Sequence, residues 1–237
     1  MDNIYNKNCT LPEFVGTTVL DTIGLVIPGI DESLRKEMNL PDSVKALGLI
    51  SSRTGAAGQL CAVDEAIKNT NTTLVSAELP RDTKGWGGHG NYIVIGGRDV
   101  SDAKRAVEIA LELTKRNAGE VYINSAGHLE IAYSASAGQV LSKFFDIPEG
   151  RAFGFMAGSP AAIGLVMADA AVKSASVTVT RYMTPDRGTS HSNEVIIAFT
   201  GDTSAVKNAV LRGREIGIEL ITTMGEYPKG PSEPYLC

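Results

Sequence analysis

Cysteine is scarce: the 237 residues hold three, Cys9, Cys61 and Cys237. They are odd in number and far apart, so neither a disulfide framework nor a CxxC metal site is available. Histidine is as scarce, with His89, His128 and His191 alone, and Trp86 is the single tryptophan. No apolar run approaches the roughly 18 residues of a membrane span. The start, MDNIYNKNCT, lacks both the basic opening and the apolar core of a signal peptide. Positive charge is in deficit, 22 Lys and Arg against 27 Asp and Glu, for a formal net charge of -5. That argues against the basic stripe with which a nucleic-acid surface displaces counterions. These lacks predict a soluble chain in a reducing cytoplasm, with no nucleic acid and no membrane among its partners.

What the chain does have is repetition. Residues 47–74, LGLISSRTGAAGQLCAVDEAIKNTNTTL, are echoed by residues 153–178, FGFMAGSPAAIGLVMADAAVKSASVT. Gly48 pairs with Gly154 and, after a one-residue gap, Asp64 with Asp169, Ala66 with Ala171 and Lys68 with Lys173. A period of about a hundred residues means that one module is used twice. The punctuation agrees, with Asn39-Leu40-Pro41 in the first copy and Asp146-Ile147-Pro148 in the second.

The first module opens with a β-branched strand over residues 22–27 and a helix over 32–39, capped by Asp31 and stopped by Pro41. The matching helix of the second covers 135–145. Strands 46–51 and 152–157 follow, then a Gly-rich turn and the main helix. Its inward face takes Leu60, Val63 and Ile67 in one copy, and Leu165, Ala168 and Val172 in the other. Strands 72–79 and 177–183 end at Pro80 and Pro185, and strands 92–95 and 195–199 return. The last helices begin at Asp99 or Ser101 and near Thr203. Val100, Ala103, Val107 and Leu111 point inward in the first, and Val206, Val210 and Ile216 in the second. The expected fold is therefore α+β: two tandem ferredoxin-like modules, residues 15–119 and 120–225, each an antiparallel sheet with helices packed on it. Residues 1–14 and 226–237 are tails.

Candidate chemistry is thin. The least regular stretches, RDTKGWGGHG at 81–90 and DRGTSHSN at 186–193, occupy equivalent places. His89 and His191 nearly match, as a metal pair or proton carriers would. No carboxylate or cysteine stands at ligand spacing, so polar loop residues facing water are the simpler reading. Asp64 and Asp169 match too, but no nucleophile, base or oxyanion hole accompanies them. Lys68 and Lys173 follow four residues later, the spacing of an ion pair along a helix, worth a few tenths of a kcal/mol, or of an interface. Gly85-Trp86-Gly87-Gly88 has no GK[ST] ending and no helix directly behind it, so it is no phosphate loop. Trp86, set among glycines in a polar loop, is either exposed with the function such loops carry or folded back on its own core.

The two passages LGLI…VDEAIKNTNTTLV and FGFM…ADAAVKSASVTV resemble the shell-protein domain of bacterial microcompartments. Its signature is a Gly-containing strand, a small-residue helix ending D-A-x-x-K-x-A, and a Val/Thr strand. Two copies that each open with an extra strand and helix are similar to the tandem, circularly permuted class, over the chain from about Pro12 onward. LPEFVGT, ELPRDTKGWGGHG, GTSHSNE and GREIG are similar to members from compartments that use propanediol, ethanol or choline. The resemblance implies a structural role without catalysis or cofactor. Three chains would form a homotrimer, a flat pseudohexamer that tiles with other shell proteins around encapsulated enzymes and passes small polar metabolites such as diols, alcohols and aldehydes.

The same resemblance implies plate-edge contacts for Lys68 and Lys173. It makes Lys84, Trp86, His89, Arg187, Thr189, Ser190, His191, Ser192 and Asn193 candidates to line a pore. Neither loop holds a cysteine, so the iron–sulfur cluster that one relative carries at its pore is not implied here. The loops are bulkier than the short Gly-Ser loop of single-domain members, which implies a closed or gated pore. A small-molecule sensor built of two α+β halves is the competing reading, and a metal enzyme or hydrolase using His89 and His191 a third.

Overall fold

A computed structural model describes residues 9–80, 90–185 and 193–237. The first repeat runs β1 (Phe14–Thr18), β2 (Thr22–Ile27), α1 (Glu32–Glu37), β3 (Ala46–Ser52), α2 (Ala57–Lys68), β4 (Thr72–Glu78), β5 (Asn91–Gly97) and α3 (Val100–Asn117). A 3-10 turn, Ala118–Glu120, leads into the second: β6 (Val121–Asn124), β7 (Gly127–Ser134), α4 (Gln139–Phe145), β8 (Ala152–Ser159), α5 (Ala161–Ser174), β9 (Val177–Met183), β10 (Val195–Gly201) and α6 (Thr203–Thr222). Each repeat makes a five-stranded antiparallel sheet of one strand order, β1-β2-β3-β5-β4 and β6-β7-β8-β10-β9. The match extends to irregularities: β4 shifts register against β5 between Leu74 and Ser76, and β9 shifts against β10 between Val179 and Arg181.

Two short hairpin elements, β1 and β6, escape the periodicity of the sequence, because four or five residues carry too little alternation to stand out. The helix expected over 135–145 starts only at Gln139. The Ala137 amide is already committed to the Arg151 carbonyl at 2.8 Å, and extended Gly138 holds the cap position.

Helices α2 and α3 cover one face of the first sheet, where Leu60, Val63 and Val107 bury against Ile50, Ile93 and Ile95. Helices α5 and α6 cover the second, with Met167 and Val210 against Met156, Ile197 and Phe199. The small residues of α5 let it lie directly on its sheet: a Cβ on Gly158 would stand 2.6 Å from the Gly164 Cα.

The other face of the second sheet turns toward the first repeat. Phe153 and Phe155 stack around Phe145 of α4, with centroids 5.1 and 5.6 Å away. That cluster is continuous with Leu60 and Val63, so the two repeats share one core. Burying apolar surface between them ties the modules with the same force that folds each one. Two inward-facing expectations fail. Val100, at the first turn of α3, is 37% exposed. Leu165 of α5 is 50% exposed, whereas its counterpart Leu60 is 0% exposed. Leu60 is roofed by the second repeat, and among the described residues nothing roofs Leu165.

Candidate functional site

The described chemistry concentrates at the joint between the repeats. Helix α2 begins at Ala56 and α4 at Gly138, and neither cap residue has a side chain to satisfy the free first-turn amides. Unmet amides at a buried helix start are costly. Each repeat supplies what the other lacks. The Asp64 carboxylate of α2 accepts from the amides of Gly138 (2.8 Å), Val140 (2.9 Å) and Leu141 (3.2 Å). Glu130 of β7 returns the bond, accepting from the amides of Ala56 (3.0 Å) and Gly58 (3.3 Å). Gln139 Oε1 accepts from the Thr73 hydroxyl at 3.0 Å and the Leu74 amide at 3.4 Å.

Lys68 completes the joint. Its ammonium lies 3.0 Å from Asp64 and 3.1 Å from Glu65, and donates to the Ser136 carbonyl of the second repeat. Burial alone would lower its pKa. The hydrogen bond and charge of Asp64, then those of Glu65, outweigh that and hold it above the usual lysine value. Burial, with Asp64 and Glu130 nearby, pushes the Cys61 thiol far up, which leaves it a poor nucleophile. Beside the joint lies a cleft of about 700 Å³, lined in part by Cys61, Lys68, Arg116, Ser134, Lys207 and Cys237.

The ion pairs expected at four-residue spacing form in both copies, but in different settings. Asp64 is 1% exposed, whereas Asp169 is 56% exposed and among the described residues meets only Lys173, at 2.7 Å. Sequence matching cannot separate the two, since the residues are identical and only the roof differs.

Of the candidate pore residues, Lys84, Trp86, His89, Arg187, Thr189, Ser190, His191 and Ser192 lie outside the described residues. Asn193 is exposed and accepts from the Ala161 amide at 3.2 Å, at the start of α5. The strands that flank the two loops are pinned by unlike polar clusters. Buried Asn91 donates to Ser52 Oγ at 2.7 Å and the Gly55 carbonyl at 3.0 Å. Buried His128 Nε2 lies 3.1 Å from Glu194 Oε2. Glu130, Gln139 and the His128–Glu194 pair went unnoticed in the sequence, because each acquires its role only from a partner 60 or more residues away. Among the described residues, no group of three or more His, Cys, Asp or Glu could hold a metal ion. No described helix is long and apolar enough to cross a membrane.

Two copies of one module, locked by reciprocal helix caps, define a tandem building block. The BMC domain model matches residues 46–127 and 152–228, and the chain belongs to this family of bacterial microcompartment shell proteins. The stretch between the matches, 128–151, carries α4 and most of β7, the parts that make the joint. The chain is 49% identical over 230 residues to the bacterial microcompartment shell protein PduB of Citrobacter freundii, covering 97% of this chain and 85% of that one. A solved trimeric microcompartment shell protein PduB superposes with a TM-score of 0.90 at 44% identity, covering 95% of this chain and 100% of that one. EtuB from Clostridium kluyveri gives 0.92 at 45% identity, covering 96% and 100%. These relatives are structural shell proteins, so the chain is a shell component rather than an enzyme, and they lend the sensor reading no support.

Proposed function

We propose that three of these chains close into a flat ring of six modules, and that such plates tile a microcompartment shell. The observation that carries this reading is the direction of the joint. The β7–α4 side of the second repeat sits on the α2 side of the first, so each module has one side of either kind. A chain therefore keeps one unused side of each kind, and a head-to-tail contact that repeats around an axis closes into a ring. Static light scattering is expected to give about three times the 25.0 kDa chain mass. A stable single-chain mass would overturn the reading.

In such a ring, loops 81–90 and 186–193 face the axis. Lys84, Trp86, His89, Arg187, Thr189, Ser190, His191, Ser192 and Asn193 are then the candidate pore lining. Bulky side chains of this kind suit a gated passage for small polar metabolites such as diols, alcohols and aldehydes. Other shell proteins at the plate edge and encapsulated enzymes are the remaining partners of the reading. Lys68 and Lys173 belong where a joint reaches the plate rim, and the partly open position of Lys68, 28% exposed, supports this. Replacing Lys68 by Ala is expected to weaken sheet formation, seen by electron microscopy, while the trimer mass stays the same. Asp64 would keep its three amide donors in that variant. Sheets that form as before would rule out the edge role.

A further inference from the structure

The two repeats agree closely enough to transfer a contact from one to the other. Arg35 N donates to the Asp31 carbonyl at 2.8 Å as Ser142 N does to Gly138 at 3.0 Å, and Val44 N donates to Pro41 as Arg151 N does to Pro148, both at 3.0 Å. Asp31, Glu32 and Leu34 of α1 thus correspond to Gly138, Gln139 and Leu141 of α4. On the receiving side, Thr178, Val179, Leu165 and Lys173 correspond to Thr73, Leu74, Leu60 and Lys68.

Within the chain, α4 docks on α2 and β4. The equivalent pieces, α1 on one side and α5 with β9 on the other, have no such partner among the described residues. Their apolar residues stand open: Leu34 is 47% exposed against 0% for Leu141, and Val179 is 43% exposed against 7% for Leu74. Leu165 and Val166 extend the same open face.

The matching positions are not chemically identical, and the difference is informative. A Cβ built on Gly138 would stand 2.7 Å from the Lys68 Cε and about 3 Å from both Asp64 oxygens. In α1 that position is Asp31, which caps its own helix by accepting from the amides of Ser33 and Leu34 and from the Ser33 hydroxyl. Helix α1 therefore has no need of Asp169. Its added carboxylate arrives where the lysine lies. Glu32 keeps an acceptor where Gln139 has one, opposite a threonine in both copies.

We propose that the α5–β9 face receives α1 of a second copy of this chain, with Lys173 held between its own Asp169 and Asp31 of that copy. Leu34 of the second copy covers Leu165 and Val179, and its Glu32 accepts from the Thr178 hydroxyl. The joint between chains is then an ion-pair contact, where the joint within the chain is a helix-cap contact. The ring has two kinds of seam, and salt opens only one of them. This rests on the trimer reading above.

Mass photometry from nanomolar to micromolar chain concentration tests it, on the wild type, Lys173→Glu, Asp31→Asn and the double variant. Asparagine keeps the helix cap while removing the charge. Each single substitution is expected to raise the trimer dissociation constant at least about tenfold, about 1.4 kcal/mol. The double variant should be no weaker than the worse single one, because the two residues act on each other. Added salt should weaken the wild-type trimer and tighten that of Lys173→Glu, where it screens the new like-charge contact with Asp169 and Asp31. A wild type that stays a single chain throughout would sink the trimer reading itself. A trimer that survives both substitutions, or effects that simply add, would leave that reading standing and refute this contact.

Discussion

Glu120→Ala is expected to lower the melting temperature by roughly 10 °C. Glu120 is fully buried in the 3-10 turn between the repeats. Its Oε1 accepts from the amides of Tyr235 (2.9 Å) and Leu236 (2.7 Å), and its Oε2 from the Tyr122 hydroxyl at 2.9 Å. Arg214 lies 3.1 Å from the same carboxylate and donates to the Leu236 carbonyl at 2.9 Å. Burial, then the Glu120 charge, drives the Tyr122 hydroxyl well above its usual pKa, so it stays a donor. Alanine would leave a partly exposed arginine, a buried phenol and two amides without their acceptor. Breaking a buried ion pair from one side costs about 3–5 kcal/mol, and a chain of this size loses about 2–4 °C per kcal/mol. A calorimetric scan checks the melt. Hydrogen exchange locates the damage, since the Tyr235 and Leu236 amides should exchange far faster once the C-terminal segment is released. Glu120→Gln, which keeps an acceptor for the two amides, should cost markedly less. A melt within 2–3 °C of wild type for Glu120→Ala would mean that the segment is held elsewhere, for instance by the Ile123–Lys229 pairing at 3.0 and 2.9 Å.

That anchor shows where sequence reasoning stops. The frame of each repeat was legible because it is local. Asp31 and Asp99 announce helix starts, prolines stop helices and strands, and Leu60, Val63 and Ile67 recur at helical spacing. The duplication carried further still, since it predicted the same sheet twice. What could not be read was every contact that crosses from one repeat to the other. Glu120 looks like one acid among 27 Asp and Glu. Glu130 lies outside every strand that the sequence places, and it is buried at the start of α2. The exposure of Leu165 reverses a correct periodicity for the same reason: helical spacing identifies an apolar face but not whether the fold provides a neighbour for it.

The sharpest consequence concerns one residue type placed twice. Asp64→Ala is expected to destabilise the chain by about 2–4 kcal/mol, because it leaves two buried amides, a partly buried one and a half-buried lysine without their acceptor. Asp169→Ala, the same change at the repeat-related position, removes an exposed ion pair. It should stay within about 0.5 kcal/mol, measured by denaturant melts at concentrations where chains are single. Asp64→Asn should fall between them, since an amide oxygen serves two donors while its nitrogen faces the third. The slope of the melt carries independent information. If the joint opens before the modules unfold, Asp64→Ala should split the transition or reduce its slope, because less surface is exposed in each step. If the shared core around Leu60, Val140 and Phe145 holds the repeats together without the cap, the transition stays single and only its midpoint moves. Equal costs at the two positions would show that the joint draws nothing from Asp64. The reciprocal caps would then be a by-product of packing rather than the device that fixes one repeat on the other.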